Sequence, residues 1–398
     1  PAVALNSLGI NISRAIGPAL AGLLIAVAGV AAAYVMDVVT YVVTLAALIW
    51  WRRERHAAAE LERLGGAMRA GLRYAVRSAP LRRVLARSVL FFAPASCYWA
   101  LLPLVARQEI GGGAGGYGLL LGAVGAGAVT GAVLMPRLRR VASGEVLALS
   151  ATVLTGIATA GLAVASSLVV GAAVLALAGA AWITMLTSLN ATAQGVLPDW
   201  VRGRGLAVYL TVFFGTMTAG SLAWGQMAAV TSLDTALLAA AGICALSALV
   251  ARALPLPAGD ADLTPSHHWP APIVPDGGAP AGGPVMVLID YRVPPIHQIA
   301  FAAAAADLRA LRLRDGAYDW GLMADAAAPV VVTEWFLVGS WAEHLRQHDR
   351  VTVADRVVQD RVRAFHQGGE PPAVRHLVPV GASVPDAAHT HMATVRPD

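Results

Sequence analysis

The chain has 398 residues, 57% of them apolar and only 13% charged, with a mean hydropathy of +0.63. Soluble domains carry about a quarter charged residues, so a wholly water-soluble fold is excluded. The net charge of +5 hides an asymmetry: residues 1–254 hold 18 Arg against 8 Asp and Glu, residues 255–398 hold 11 against 16, and Lys is absent, so a nucleic-acid-binding function has no support.

The sequence opens with Pro1 at the mouth of an apolar stretch, and we read it as truncated at its N-terminus. Charges and Gly/Pro breaks delimit eight apolar spans, near 4–28, 31–51, 83–106, 115–136, 145–166, 169–192, 205–230 and 234–252. The 53 residues between Glu145 and Asp199 contain no charged side chain at all. A helix of about 20 apolar residues crosses the bilayer core, and helices are required there because each backbone polar group must be paired internally. Cys97 and Cys244, the only cysteines, fall inside spans, which excludes a disulfide framework and argues against a thiol metal site.

Arginines cluster in residues 52–87, at Arg137, Arg139 and Arg140, at Arg202 and Arg204, and at Arg252, whereas the alternate loops hold Arg107 alone. The positive-inside rule then places the clustered side and the C-terminus in the cytoplasm. Residues 52–82 are too polar to span; Leu72, Val76 and Leu81 among Arg69, Arg73 and Arg77 predict a basic amphipathic helix on the anionic inner leaflet. Residues 255–284 turn to Pro, Gly, Ala and Asp, the composition of a flexible linker. Residues 285–382 alternate strand and helix patterns in the order β-α-β-β-α-β, which predicts a soluble ferredoxin-like domain; residues 383–398 read as a disordered tail. Both faces of these strands are apolar (Val287, Ile289 and Tyr291 against Met286 and Leu288), which predicts a homodimer closed sheet to sheet, with the cytoplasmic face of the helix bundle as the alternative cover.

Three motifs carry a family resemblance across residues 1–254. Residues Asn11 to Gly22 resemble the fifth-span antiporter motif of major facilitator superfamily exporters, with Gly17, Pro18 and Gly22 in motif positions and Ser13 and Ala21 departing from it. Gly131 to Arg140 resembles the loop signature of the same superfamily without its acidic residue. Leu197 to Gly205, followed by Phe213 to Ser221, resembles the transmembrane secretion effector branch, which includes siderophore and drug exporters. The resemblance implies an all-α polytopic bundle with eight of twelve spans present: residues 1–51 would end the first six-span half and 83–254 would form the second. It further implies a multi-pass protein of a bacterial cytoplasmic membrane that uses protons as coupling ion to export an amphipathic small molecule by alternating access, without a cofactor.

Candidate transport residues follow. Arg14, about 15 Å into its helix if that begins near Ala4, costs about 2.5–3.5 kcal/mol at mid-bilayer and reads as functional. Asp37 is the visible opposite charge and a candidate proton carrier; Gly17, Pro18 and Gly22 shape the helix, and Arg137, Arg202 and Arg204 read as gating cations. Asn11, Tyr98, Trp99, Trp182, Asn190 and Gln194 are candidates for a substrate cavity near the midplane. In the tail, Glu334, Trp335, Trp341 and His344 resemble the pocket pattern of antibiotic-biosynthesis-monooxygenase-like dimeric α/β barrels, which leaves a membrane-anchored enzyme or ligand-sensing domain as the rival reading. His344 and His348 share one helix face, but no third ligand stands beside them and no metal is expected.

Overall fold

The computed structural model describes residues 28–29, 31–32, 34–51, 64–108, 113–258, 261–266, 268–269 and 283–379. After the apolar helix α1 (Tyr34–Trp50) come α2 (Leu64–Arg77), α3 (Ala79–Gln108), α4 (Gly113–Val141), α5 (Gly144–Ala163), α6 (Leu168–Gly195), α7 (Arg202–Val230) and α8 (Leu233–Arg252). Among the described residues, six helices (α3 to α8) are long and apolar enough to cross a membrane; α1 is shorter. The expected span at 4–28 lies, but for Ala28, outside the described residues. The chain divides into two compact units: residues 1–63, 83–192 and 210–257 form the first, and residues 64–82, 193–209 and 258–398 the second.

In the first unit, helix association rests on small side chains, as it must where lipid removes the hydrophobic drive between helices. Helix α5 turns Ala148, Ala151, Thr155, Gly156 and Thr159 inward, and α8 answers with Ala236, Ala240, Cys244, Ser247 and Ala248. A methyl group on Gly156 would stand 2.9 Å from the Cys244 Cβ, so the two helices meet at van der Waals limits there. Ser143 and Ser232 cap the two helices by accepting from Val146 N–H and Thr235 N–H.

One charged group holds three helix ends together. Arg87 is 1% exposed; its Nη1 donates to Glu145 Oε1 at 2.8 Å and to the Ala251 carbonyl at 2.7 Å. Glu145 Oε2 accepts the Leu256 N–H at 2.8 Å. The start of α3, the start of α5 and the end of α8 are thereby joined by a pair that sequence reading treated as ordinary loop charges.

The second unit is discontinuous in sequence. Its last segment forms β1 (Val285–Arg292), α9 (Gln298–Asp315), β2 (Asp319–Ala324), β3 (Val331–Val338), α10 (Trp341–Arg350), α11 (Val353–Arg363) and β4 (Ala373–Leu377). The strands make one antiparallel sheet in the order β2-β3-β1-β4. Their alternate residues Val285, Val287, Ile289, Tyr291, Phe336 and Val338 are buried with Phe301 and Leu308 of α9. Ser340 caps α10, and Thr352 with Asp355 forms a reciprocal capping box on α11. The opposite sheet face carries Met286, Leu288 and Leu337 beside the Asp290–Arg375 ion pair at 3.1 Å.

Two expectations change here. Part of the stretch read as flexible linker is anchored: Ser266 N–H donates to the Val351 carbonyl, and Val353 and Ala354 N–H donate to the Thr264 and Asp262 carbonyls. Helix α2 is amphipathic as expected, with Met68, Leu72 and Val76 exposed along one stripe. Leu81 does not share that stripe; it lies in α3 and is fully buried. The opposite face of α2 (Ala70, Tyr74 and Ala75) is buried within the second unit.

The Arg87 bridge predicts an order of stabilities. Glu145→Ala strands a buried guanidinium and should cost about 2–4 kcal/mol, while Arg87→Met replaces it with an apolar chain and should cost less. Thermal unfolding in detergent reads the difference, and equal loss in both variants would contradict it.

Candidate functional site

The membrane unit brings together part of the expected cavity. Trp182 of α6 stands edge-on to Trp99 (ring centroids 5.3 Å) and Phe92 (5.2 Å) of α3, with Tyr98 at 6.4 Å and Phe213 of α7 at 6.4 Å. Phe213 in turn packs on Phe92 at 4.5 Å. Tyr98, Trp99 and Trp182 are therefore one aromatic cluster drawn from α3, α6 and α7. Asn190 and Gln194 do not join it: at 1.5 Å per residue they stand about 12 and 18 Å farther along α6, half-buried and exposed. Gly220, in the second half of the third motif, lets α3 approach, since a Cβ there would stand 3.0 Å from the Ala93 carbonyl oxygen. Trp224 Nε1 donates to that same oxygen at 2.8 Å, one residue before Pro94.

The remaining transport candidates are dispersed. Asn11, Arg14, Gly17, Pro18 and Gly22 lie outside the described residues. Asp37 is exposed on α1, and Arg137 is exposed at the end of α4; neither has an ion pair among the described residues. Gly131 is a packing position, where a Cβ would press on Ile183 and Ala180 of α6. Arg202 pairs with Asp199 at 2.6 Å, and the Cβ of Arg204 sits against Gly71 of α2.

The Leu197–Gly205 motif has a structural task that sequence reading missed. Trp200 meets Tyr74 of α2 edge to face at 5.6 Å, and Tyr74 Oη donates to the Val196 carbonyl at 3.3 Å. The guanidinium of Arg350 lies 4.6 Å over the Trp200 ring, and that of Arg314 lies 5.5 Å from Tyr74. Arg73 of α2 binds Glu343 at 3.0 Å, and Arg346 and Arg350 bind the same carboxylate at 3.0 and 2.6 Å. Burial opposes ionisation of Glu343, but Arg350, Arg346 and Arg73 together hold its carboxyl below the usual range. Gly316, at φ 146°, ends α9 beside this group; a side chain there would be strained and would meet Glu343 Oε1. Burial pushes the Tyr74 hydroxyl up to about 12.

A cavity of about 350 Å³ lies in the C-terminal domain, lined by strand residues on one side and by α9 to α11 with His268 and Trp269 on the other. Its floor is Val287, Ile289, Tyr291 and Phe336. Beneath it Glu334, fully buried, accepts from Arg312 Nε at 3.0 Å, Tyr291 Oη at 3.1 Å and Trp320 Nε1 at 3.0 Å. Arg312 is clasped between the Trp269 and Phe336 rings, 4.7 Å from each centroid. Gln359 positions Trp269 and His268 through bonds of 2.7 and 2.8 Å.

Three histidines converge at the cavity wall. His344 Nε2 lies 2.9 Å from His376 Nε2 and 3.3 Å from His348 Nε2. Burial, reinforced by His376 and His348, pushes His344 down to about 3. Burial, with His376 and Arg312, pushes His348 down to about 4, and burial also lowers His376. The rings are therefore neutral near pH 7. No group of three side chains fit to hold a metal ion exists among the described residues. Of the four expected pocket residues, His344 lines the cavity, Glu334 supports it from below, and Trp341 stacks on His344 and His376 at 5.6 Å each. Trp335 is on the other face of the sheet, over Gly321, because neighbours in a strand point to opposite sides. His376 was missed because 32 residues separate it from His344.

The depressed histidines set a pH dependence. In the unfolded chain each titrates near 6.5, so between about pH 6.5 and the folded values the unfolded state binds more protons and stability falls on acidification. The melting temperature of the full chain in detergent should drop between pH 7 and pH 5, and His344→Gln with His348→Gln should flatten that dependence. An unchanged slope in the double variant would contradict the neutral assignment.

No curated protein matches the chain. The sequence family described as transmembrane secretion effector matches residues 1–383, which covers the apolar helices and the C-terminal domain together. With six helices among the described residues fit to cross a bilayer, the chain belongs to the transmembrane secretion effector family and is a multi-pass membrane transporter of the major facilitator type.

Proposed function

We propose that this protein is a proton-driven exporter that moves an amphipathic small molecule out across a bacterial cytoplasmic membrane by alternating access. The observation that supports this most is the aromatic cluster of Trp182, Trp99, Tyr98, Phe92 and Phe213, contributed by three helices of a family of secretion effectors. Edge-to-face rings offer a surface for apolar or aromatic parts of a substrate without binding it through one fixed hydrogen bond. Asp37 is the proposed proton carrier and Arg14 the proposed functional charge of the preceding apolar stretch, with Gly17, Pro18 and Gly22 proposed to shape that stretch. The C-terminal domain is read as ferredoxin-like, which its element order and its strand order β2-β3-β1-β4 support. Its cavity favours ligand sensing as the second reading of that domain.

Transport tests the cluster. In everted vesicles energised with a proton gradient, Trp182→Ala should slow the movement of an amphipathic dye such as ethidium about tenfold, the equivalent of about 1.4 kcal/mol, while Trp182→Phe keeps most of it. Asp37→Asn should uncouple dye movement from the gradient. Full rates in Trp182→Ala would move the cavity elsewhere, and full coupling in Asp37→Asn would free Asp37 of its role.

Topology is tested separately. Cys97 and Cys244 are buried, which leaves a quiet background for labelling. An impermeant maleimide applied to intact cells should label Thr231→Cys and spare Ala306→Cys, both exposed positions. The reverse pattern would overturn a cytoplasmic C-terminus.

A further inference from the structure

The cavity is closed on one side by a stretch of chain whose composition is that of a linker. Residues 262–266 lie along the junction of α10 and α11 as a strap. Ser266 N–H donates to the Val351 carbonyl at 3.0 Å, and the carbonyls of Thr264 and Asp262 accept from Val353 N–H at 3.0 Å and Ala354 N–H at 2.9 Å. Those two donors belong to the first turn of α11, where no carbonyl of the helix itself can reach them, so the strap caps the helix it crosses. Its far end reaches the cavity. Trp269 donates from Nε1 to Gln359 Oε1 at 2.7 Å, stands edge-on to His348 at 4.8 Å, and covers one face of the Arg312 guanidinium. Trp269 is therefore a wall of the cavity that the strap carries.

The walls restrict the occupant. Arg312 is neutralised by Glu334 at 3.0 Å. Asp360 and Arg363 line the rim, both exposed and of opposite sign. The three histidines need no added proton: a neutral His344 with its hydrogen on Nε2 donates to His376 Nε2 at 2.9 Å and shares it with His348 Nε2 at 3.3 Å. Among the described residues the cavity thus holds no unbalanced charge, and an ion entering it would give up hydration without a counter-charge in return. The walls offer rings instead, from Trp269, Tyr291 and Phe336 beside the histidines. Aromatic occupants gain from edge-to-face and offset contact with such rings beyond their burial alone. At about 350 Å³ the cavity stands at the small end of ligand pockets, about 300–1,000 Å³, which limits the occupant to one or two rings.

We propose that this cavity binds a neutral, flat aromatic molecule of one or two rings, and that the strap closes over it with Trp269 as the contact. The ligand ring lies against Trp269 and Phe336, and no covalent bond forms or breaks. Because the ligand rests on Trp269, its presence opposes the lifting of the strap that would free Val353 and Ala354 N–H. The proposal rests on the ligand-sensing reading of the C-terminal domain and adds to it the class of ligand and the segment that responds.

The test uses the full chain in nanodiscs at pH 7, titrated calorimetrically with the heats of empty nanodiscs subtracted. Three probes of similar shape separate charge from aromaticity: 2-naphthol is neutral and aromatic, 2-naphthoate anionic and aromatic, decahydro-2-naphthol neutral and saturated. 2-Naphthol should fill one saturable site per chain. 2-Naphthoate should bind about tenfold more weakly, and the saturated alcohol about fivefold more weakly. Hydrogen exchange reads the strap. At about ten times its dissociation constant, 2-naphthol should slow exchange at Val353 and Ala354 about tenfold, since only the empty form opens. Trp269→Ala should abolish the slowing, and Gln359→Leu, which removes the acceptor of Trp269 Nε1 at similar side-chain size, should reduce it. Slowing intact in both variants, or saturable binding with exchange unchanged in the parent, would overturn the strap. Naphthoate as tight as naphthol would overturn the neutral ligand, and the saturated alcohol as tight as naphthol the aromatic one; either result leaves ligand sensing standing. Absence of saturable binding by all three probes would overturn ligand sensing together with the proposal.

Discussion

A single buried carboxylate organises the C-terminal domain. Glu334 lies at the centre of β3 with three donors on it, from α9 (Arg312), β1 (Tyr291) and β2 (Trp320). Removing a carboxylate and a guanidinium from water costs several kcal/mol per ion, and the outlay is recovered only if the remaining lone pairs find donors. Here they do, and the geometry that results has a further effect. Arg312, neutralised from below by Glu334, presents its flat faces to Trp269 and Phe336 and so fixes two walls of the cavity. Burial and the positive field of Arg312 then keep His348 neutral. Without the carboxylate, the same arginine would be an unmatched charge in an apolar core.

The membrane unit solves the opposite problem. The apolar stretches of its helices carry little charge, and α5 and α8 are joined by close contact of Gly, Ala, Ser, Thr and Cys. The exception, Arg87 with Glu145, stands where three helix ends meet and where unpaired terminal carbonyls such as that of Ala251 need donors. At that terminus Arg87 satisfies backbone as well as side chain.

Much of this was legible in the sequence, for identifiable reasons. The six long apolar helices follow from runs without charge, and the strands of the C-terminal domain from period-two burial of Val285, Val287, Ile289 and Tyr291. The same period separates Glu334 from Trp335, so their placement on opposite faces could have been read from adjacency alone. The aromatic cluster was half legible: Tyr98, Trp99 and Trp182 were named, but Phe92 and Phe213 look like any lipid-facing residue until α3, α6 and α7 are side by side. Contacts between distant segments left no local mark. Nothing near Arg73 announces Glu343, 270 residues later, and nothing in a Pro/Gly-rich stretch announces that Asp262, Thr264, His268 and Trp269 are tied to α11.

That long separation bears on how the protein is made. Helix α2 and the Trp200 turn are synthesised well before β1 to β4 exist, so Tyr74 and Arg73 emerge from the ribosome without their partners. Contacts of such sequence separation form late, because the chain between them must first be closed. The apolar helices α3 to α8 can enter the bilayer while α2 still waits, its Met68, Leu72 and Val76 stripe exposed. Only a chain translated through α10 can supply Glu343 and Arg350, so the grip on α2 reports that synthesis has passed that point. A chain cut short after α8 would keep its membrane helices and lack that mark of completion.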